Sequence, residues 1–331
     1  MAGDRRGPVR LARGAARRVL RRLRPRRRPA ILMYHRIADE TFDPWELAVS
    51  PSIFARHLDW LRSHRTVLPL PDFVRLHRER QLPSDAVAIT FDDAYACVAQ
   101  VAAPMLKSSG LPATVFVPPE LIEQGEEFWW DDIERMVMAS AATEVAVDGE
   151  TIPLGPRREA DRDWPPNAAP RTDRQKAFHA VWAKLRVKSP ADLRAAVLTL
   201  RKDLGADDVA RPSHRPMTVA EARAAKSAIM QFGAHALTHP SLPCLDSSEK
   251  RHEIVDSVEQ CEALTEQRPA TMAYPYGDFD AESEKLAEEA GFDCACTTDH
   301  AFVTAESRPF ALPRIQVGNW SPARLRRVLE G

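Results

Sequence analysis

Ala86-Val87-Ala88-Ile89-Thr90-Phe91-Asp92-Asp93 is an unbroken apolar run that ends on two adjacent carboxylates. A run this short, without alternating polar residues, reads as a strand buried on both faces, which is the habit of parallel sheets. Similar segments recur along the chain at Ala30–Tyr34, Ala113–Val117, Ile229–Ala234, Thr271–Ala273, Ala295–Thr298 and Ile315–Val317. Helical patterns separate most of them: Ser52–Arg62, Tyr95–Ser108, Ser248–Leu264 and Ala281–Ala290. Gly110 and Gly291 each stand where a helix would stop before the next strand. Strands alternating with helices predict an α/β fold with a parallel sheet or barrel.

Two strand ends carry chemistry. Asp92 and Asp93 close one, and His235-Ala236-Leu237-Thr238-His239-Pro240 follows another. Each piece alone has a plain explanation, since Asp pairs cap helices and many histidine pairs are structural. Together, at the C-terminal ends of strands where α/β folds place their sites, they match the ligand set of a mononuclear metal hydrolase. One acid and two imidazoles bind the ion, and the second acid is left over as a base.

These motifs resemble the signature of the polysaccharide deacetylase family, also called the NodB homology or carbohydrate esterase 4 family. Thr90 to Asp93 matches its T-F-D-D motif, and His235 to Pro240 its H-[ST]-x-x-H-P motif, with Ala236 at the Ser/Thr position. Met272-Ala273-Tyr274-Pro275-Tyr276-Gly277 matches R-x-P-[YF] but carries Ala273 where the family has Arg. The resemblance covers roughly residues 30 to 320. It implies a distorted (β/α) barrel of about seven parallel strands and removal of N-acetyl groups from an N-acetylated sugar: a chitooligosaccharide, a lipid-linked glycan intermediate or an exopolysaccharide. By the same resemblance Asp92 would be the general base, and Asp93, His235 and His239 the metal ligands. The Tyr276 amide would help bind the oxyanion, beside Pro275 in the substrate site. Zinc suits the His2Asp set, and cobalt or nickel would follow the same ligand logic.

Two departures stand out. Ala273 leaves the base without its usual Arg, and Leu312-Pro313-Arg314-Ile315 offers no His where the family has L-x-x-H near its C-terminus. Leu32-Met33-Tyr34-His35 fits that pattern at the first strand instead. The first and last strands of a closed barrel are neighbours, so His35 could serve as the general acid. This order resembles the permuted branch that acts on poly-N-acetylglucosamine. His300, after Thr298-Asp299, is the alternative acid, and Asp293 could match a fourth-motif Asp. Asp278 and Asp280 read as turn and cap residues, and His214 and Arg215 could touch substrate.

Residues 119–228 break the strand–helix rhythm. They hold Phe128-Trp129-Trp130-Asp131-Asp132, a hairpin signal at Asp148-Gly149, and the capping-box pattern Thr218-Val219-Ala220-Glu221. This stretch is expected to form a lid or rim inserted into a domain spanning 30–331, with the aromatic cluster as its own small core rather than a sugar-stacking platform.

The formal net charge of −1 conceals an asymmetry. Residues 1–29 hold twelve Arg and one acid, a net of +11, which leaves the remainder at −12. The acidic body argues against nucleic acid as a partner. Leu11, Ala15, Val19 and Leu23 recur every four residues between the arginines. The tail is therefore either a basic amphipathic helix on an anionic membrane surface or a solvated arm. Neither a signal-peptide core nor an apolar run near 18 residues is visible, so the expected location is cytoplasmic, peripheral to the inner membrane if the tail lies on a membrane surface. Five Cys without a C-x-x-C pair argue for reduced thiols, with Cys294 and Cys296 in the core. Two further readings stay open: an O-acetyl carbohydrate esterase on the same fold, and a non-catalytic glycan-binding module.

Overall fold

The computed structural model describes residues 27–207 and 209–330. The expected amphipathic helix of the Arg-rich tail lies almost wholly in residues 1–26, outside the described residues. No helix among the described residues is long and apolar enough to cross a membrane.

Seven parallel strands close into a barrel: β1 (Ala30–Tyr34), β3 (Ala86–Phe91), β4 (Ala113–Val117), β7 (Met230–Ala234), β8 (Thr271–Ala273), β9 (Cys294–His300) and β10 (Leu312–Gln316). The short β2 (Thr66–Val67) pairs with the start of β3, Thr66 opposite Ala86 and Val67 opposite Val87. β1 closes the ring. It pairs along its whole length with β3, from Ala30 opposite Val87 to Tyr34 opposite Phe91, and on its other edge with β10. The expected seven-stranded (β/α) barrel is the fold observed.

Successive residues of each strand point alternately into and out of the barrel. The outward set, including Ala30, Leu32, Tyr34, Val87 and Ile89, packs under the surrounding helices. The inward set is a separate cluster of Ile31, Ala86, Ala88, Phe116, Ala273, Cys294, Cys296 and Leu312. Leu70, Phe73 and Val74 of α2 (Leu70–Arg78) belong to this inner cluster. Among the inner residues Gly233 has a steric reason. A Cβ there would meet the Thr271 carbonyl at 2.6 Å and the Phe116 ring at 2.7 Å.

The helices follow local rules. Ser50 caps α1 (Pro51–His64) by accepting from the Ile53 amide. Gly110 (φ 65°) ends α3 (Ala103–Ser109) in the left-handed region, and Gly291 (φ 85°) follows α11 (Ala281–Glu289). Single π turns at Val98–Ala102 and His252–Asp256 widen two helical stretches.

Between β4 and β7 run α4 (Pro119–Gln124), α5 (Trp129–Ala139), the hairpin β5–β6 (Glu144–Val147, Glu150–Pro153), α6 (Asp173–Arg186), α7 (Pro190–Asp203) and α8 (Val219–Ala225). Asp148 and Gly149 form the hairpin's turn, both with positive φ. Thr218 and Glu221 make the capping box of α8. Both α4 and α8 pack on α10 (Ser257–Thr265), which flanks the barrel, whereas α5, α6 and α7 pack on one another.

Candidate active site

The strand register gathers the functional groups at one end of the barrel. Tyr34 lies opposite Phe91, so the residues that follow, His35 and Asp92, leave β1 and β3 side by side, and the Asp92 amide donates to the Tyr34 carbonyl at 2.9 Å. His235 emerges after β7, its amide donating to the Val117 carbonyl of β4 at 2.9 Å. Tyr274 to Gly277 follow β8. Backbone strain concentrates here. Asp93, Ala94, Ala236, His239 and Tyr276 all have φ between 56° and 67°, a region costly for side chains with a Cβ.

Asp93, His235 and His239 come together as expected. Their ligand atoms lie within 4.8 Å of one another, and all three residues are buried. The Nε2 atoms of His235 and His239 face Asp93 Oδ1 at 3.6 and 3.4 Å. That oxygen is buried and has no hydrogen-bond partner among the described residues, an expensive arrangement unless a cation sits among the three atoms. His235 Nδ1 lies 2.7 Å from the Ala273 carbonyl and therefore donates to it, which leaves Nε2 with a free lone pair. Orienting a ligand imidazole through its other nitrogen is typical of metal sites. Burial, with neighbouring His235, pushes His239 down to about 3, so its imidazole is neutral and able to ligate. The donor set fits a divalent cation.

Glu253, on the π turn, holds the loop that carries both histidines. Its carboxylate accepts from the Leu237 and Thr238 amides at 2.8 and 3.0 Å and from the Thr238 hydroxyl.

Asp92 has a partner that the sequence reading missed. Arg314 of β10, with no exposed surface, donates to both Asp92 oxygens at 2.6 and 2.7 Å. Its Nε donates to the Thr297 carbonyl at 2.8 Å, and its guanidinium sits 5.5 Å from the centre of the Phe116 ring. The expectation that Ala273 leaves the base without a guanidinium is corrected. Ala273 is small and faces inward, and the arginine arrives from β10 instead of β8. Burial alone would raise the Asp92 pKa, but Arg314 and then His235 hold the carboxyl far below the usual carboxylate range. The same competition, won by His235 and His239, keeps Asp93 ionised. The available signal was a single Arg at an inward position, two residues after the inward Leu312 and flanked by Pro313 and Ile315.

A cavity of about 300 Å3 opens over these groups, lined by His35, Asp92, Asp93, His239 and Tyr276. His35 thus faces the same cavity as Asp92 and Asp93. His300 is exposed at the end of β9 and is not among the residues lining the cavity. Asp293 is exposed and meets Arg78 away from the site. Asp280 caps α11 as expected, while Asp278 accepts from Ser241 and pairs with Arg186. Arg215 is paired with Glu221, and buried His214 bonds its neighbour Ser213; neither lines the cavity.

Tyr276 packs edge-on against the His239 ring at 4.5 Å, and Pro275 opens the short 3-10 turn that carries it. Gly277 (φ 75°) is forced, because any Cβ would collide with Thr298, whose hydroxyl donates to the Tyr276 carbonyl at 3.0 Å. The aromatic cluster is buried as expected, yet Trp130 also forms cavity wall, 4.7 Å from His239. Its Nε1 donates to the Tyr95 hydroxyl at 2.8 Å, which donates to Asp131 at 2.6 Å.

A polysaccharide deacetylase family model matches residues 79–146 and 210–295. The unmatched interval holds α6 and α7, and β1 and β10 lie outside the match. YxkH of Bacillus subtilis is 20% identical over 289 residues, covering 87% of this chain and 70% of that protein. The Streptococcus pyogenes deacetylase PplD, solved in complex with acetate, has a TM-score of 0.60 at 19% identity, covering 91% of this chain and 98% of its own. A de-N-acetylase from Aggregatibacter actinomycetemcomitans gives 0.51 at 13% identity, over 91% and 99% of the two chains. With its motifs set at the mouth of a seven-stranded barrel, the chain belongs to the polysaccharide deacetylase family.

Proposed function

We propose that this protein hydrolyses the N-acetyl group of an N-acetylated sugar and that the reaction depends on a divalent cation held by Asp93, His235 and His239. Family membership supports a hydrolase acting on an acetyl group. The observation that carries the finer reading is Asp92: a carboxylate kept ionised by Arg314 beside three ligand atoms is a base waiting for a proton.

A bound cation, with zinc favoured and cobalt or nickel possible, supplies Lewis acidity toward water and the acetyl oxygen. Asp92 takes the proton of the attacking water as its oxygen adds to the acetyl carbon. The Tyr276 amide helps hold the oxyanion, with Pro275 fixing its turn. As the C–N bond breaks, His35 delivers a proton to the departing nitrogen. Acetate and the protonated amine are the products, and the proton taken up by Asp92 returns to His35, so atoms and charge balance. Amide cleavage, more than ester cleavage, needs this acid, because an amine leaves poorly without a proton. The presence of a de-N-acetylase among the structural neighbours agrees with N- over O-deacetylation.

The test is acetate release from N-acetylglucosamine oligomers with zinc, cobalt or nickel added. Asp92→Asn is expected to abolish release and His35→Ala to lower it by ~10²–10⁴-fold. Release from O-acetylated sugars alone would select the esterase, and sugar binding without release would select a glycan-binding role. We also propose an anionic membrane surface as partner for residues 1–29, on their charge alone. Deleting residues 1–26 should then abolish sedimentation with anionic vesicles, and unchanged sedimentation would refute it.

A further inference from the structure

The α6 helix forms a bar along one side of the cavity mouth. At its C-terminal end Trp182 meets the Tyr276 ring edge-on at 6.0 Å. Arg186 pairs with Asp278 and lies 5.1 Å from the ring centres of both Trp182 and Tyr276. This end of α6 is therefore fastened to the loop after β8. Toward its middle, the helix reaches the loop that follows β1. Trp45 packs 5.0 Å from Trp182 and stacks on His179 at 5.1 Å. The segment before α6 adds a second tie, where Asn167 donates to the Glu46 carboxylate at 2.8 Å and to the Pro44 carbonyl at 3.0 Å. Glu46 is itself fixed by the Trp320 indole at 2.8 Å.

Two loops on different sides of the barrel mouth are thus bridged by one helix, and Trp45, Trp182, Arg186 and Asn167 all line the cavity. An open groove along the barrel top would let a polymer pass over Asp92 in either direction. Here that path meets indole walls tied at both ends by side-chain bonds. The space, about 300 Å3, is at the small end of ligand pockets, which run from about 300 to 1,000 Å3. It has room for one sugar unit, with the apolar faces of Trp45 and Trp182 beside it.

Resting on the deacetylase reading above, we propose that Trp182 and Arg186 make the enzyme chain-end selective: the pocket takes one terminal N-acetylated sugar and excludes internal units of a polymer. Specificity of this kind comes from a wall that internal units would strike, more than from added contacts to the right substrate. Substrate length beyond the first unit then contributes little to recognition.

The experiment uses the full chain with metal added and N-acetylglucosamine oligomers from dimer to hexamer, one end isotopically labelled. Products are sequenced by mass spectrometry. The expected result is deacetylation at a single terminal unit, with kcat/KM varying less than about tenfold across the series. Trp182→Ala and Arg186→Ala should release the constraint and raise the ratio of internal to terminal deacetylation in the hexamer products. Internal deacetylation by the unaltered protein, or kcat/KM rising more than about tenfold with length, would overturn the proposal and leave the deacetylase reading intact. If no oligomer releases acetate, the deacetylase reading falls, and binding still decides the pocket. Equal affinity of dimer and hexamer by calorimetry supports it, and a hexamer bound over about tenfold more tightly refutes it.

Discussion

Arg314 grips both oxygens of Asp92 at 2.6 and 2.7 Å from a position 222 residues further along the chain. Among the described residues neither has an alternative charged partner of comparable geometry, the next for Asp92 being His235 Nε2 at 4.0 Å, so the pair is a unit: a buried acid held by a buried cation.

Breaking that unit should be costly in two ways. Arg314→Ala strands a buried carboxylate, and such changes cost about 3–5 kcal/mol. Arg314→Lys keeps the charge but loses the two-pronged grip, so it should retain more stability than Ala and still lose activity. Urea denaturation and acetate release measured on the same samples separate the two effects. An Arg314→Ala variant as stable and as active as the parent would refute the assignment.

Glu253 is not among the residues lining the cavity, yet it should govern metal affinity. Glu253→Ala leaves two buried amides unpaired at about 1–3 kcal/mol each and frees the loop bearing His235 and His239. Loss of such outer support typically weakens metal binding about 10–100-fold. Glu253→Gln keeps one acceptor oxygen and should fall between. Competition with a chelating dye reads this directly, without any turnover assay.

His57 predicts a pH dependence of stability. Its Nε2 donates to the Trp320 carbonyl at 2.8 Å, and the Tyr34 hydroxyl lies 3.2 Å from Nδ1. Burial lowers its pKa from 6.5 to about 4, against a smaller opposing effect of the Trp320 carbonyl. The unfolded chain therefore takes up a proton before the folded one does. This contribution is full above pH 6.5 and drains away as pH falls toward 4, amounting to about 3 kcal/mol at most. In His57→Gln that part of the slope should vanish. Parallel unfolding free energies for the two proteins between pH 7 and 4 would contradict the prediction.

Gly277→Ala tests the turn that positions Tyr276. The added methyl group has no room beside Thr298, and the backbone sits at φ 75°. Displacement of the Tyr276 amide by about 1 Å could cost ~10²-fold in kcat/KM, with the far-ultraviolet circular dichroism unchanged. A fully active variant would show that the turn tolerates movement.

The barrel was largely legible because its strands are short apolar runs bounded by glycine stops and capped helices. Ala30–Tyr34, Ala113–Val117 and Thr271–Ala273 match their expected limits residue for residue. The ligand trio was legible because both motifs lie within a few residues of a strand end. Arg314 escaped because its role depends on inward-facing register and on an empty place two strands away at Ala273. A search for a missing histidine in Leu312–Ile315 passed over it. The two-residue β2 is too short to leave a pattern. The Trp45–Trp182 wall joins residues far apart in sequence, and no local periodicity encodes such a meeting.

β1 closes the ring between β3 and β10, and in doing so it brings His35 to Asp92 while its other edge holds the strand that bears Arg314. On the proposed mechanism, catalytic competence is therefore a property of ring closure itself. Contacts of such long sequence separation form late and slowly in folding. A chain whose outer helices had formed but whose seam stayed open would keep most of its helical signal and have no working base. Recovery of activity during refolding should consequently trail recovery of helicity, and the lag between them times the closing of the seam.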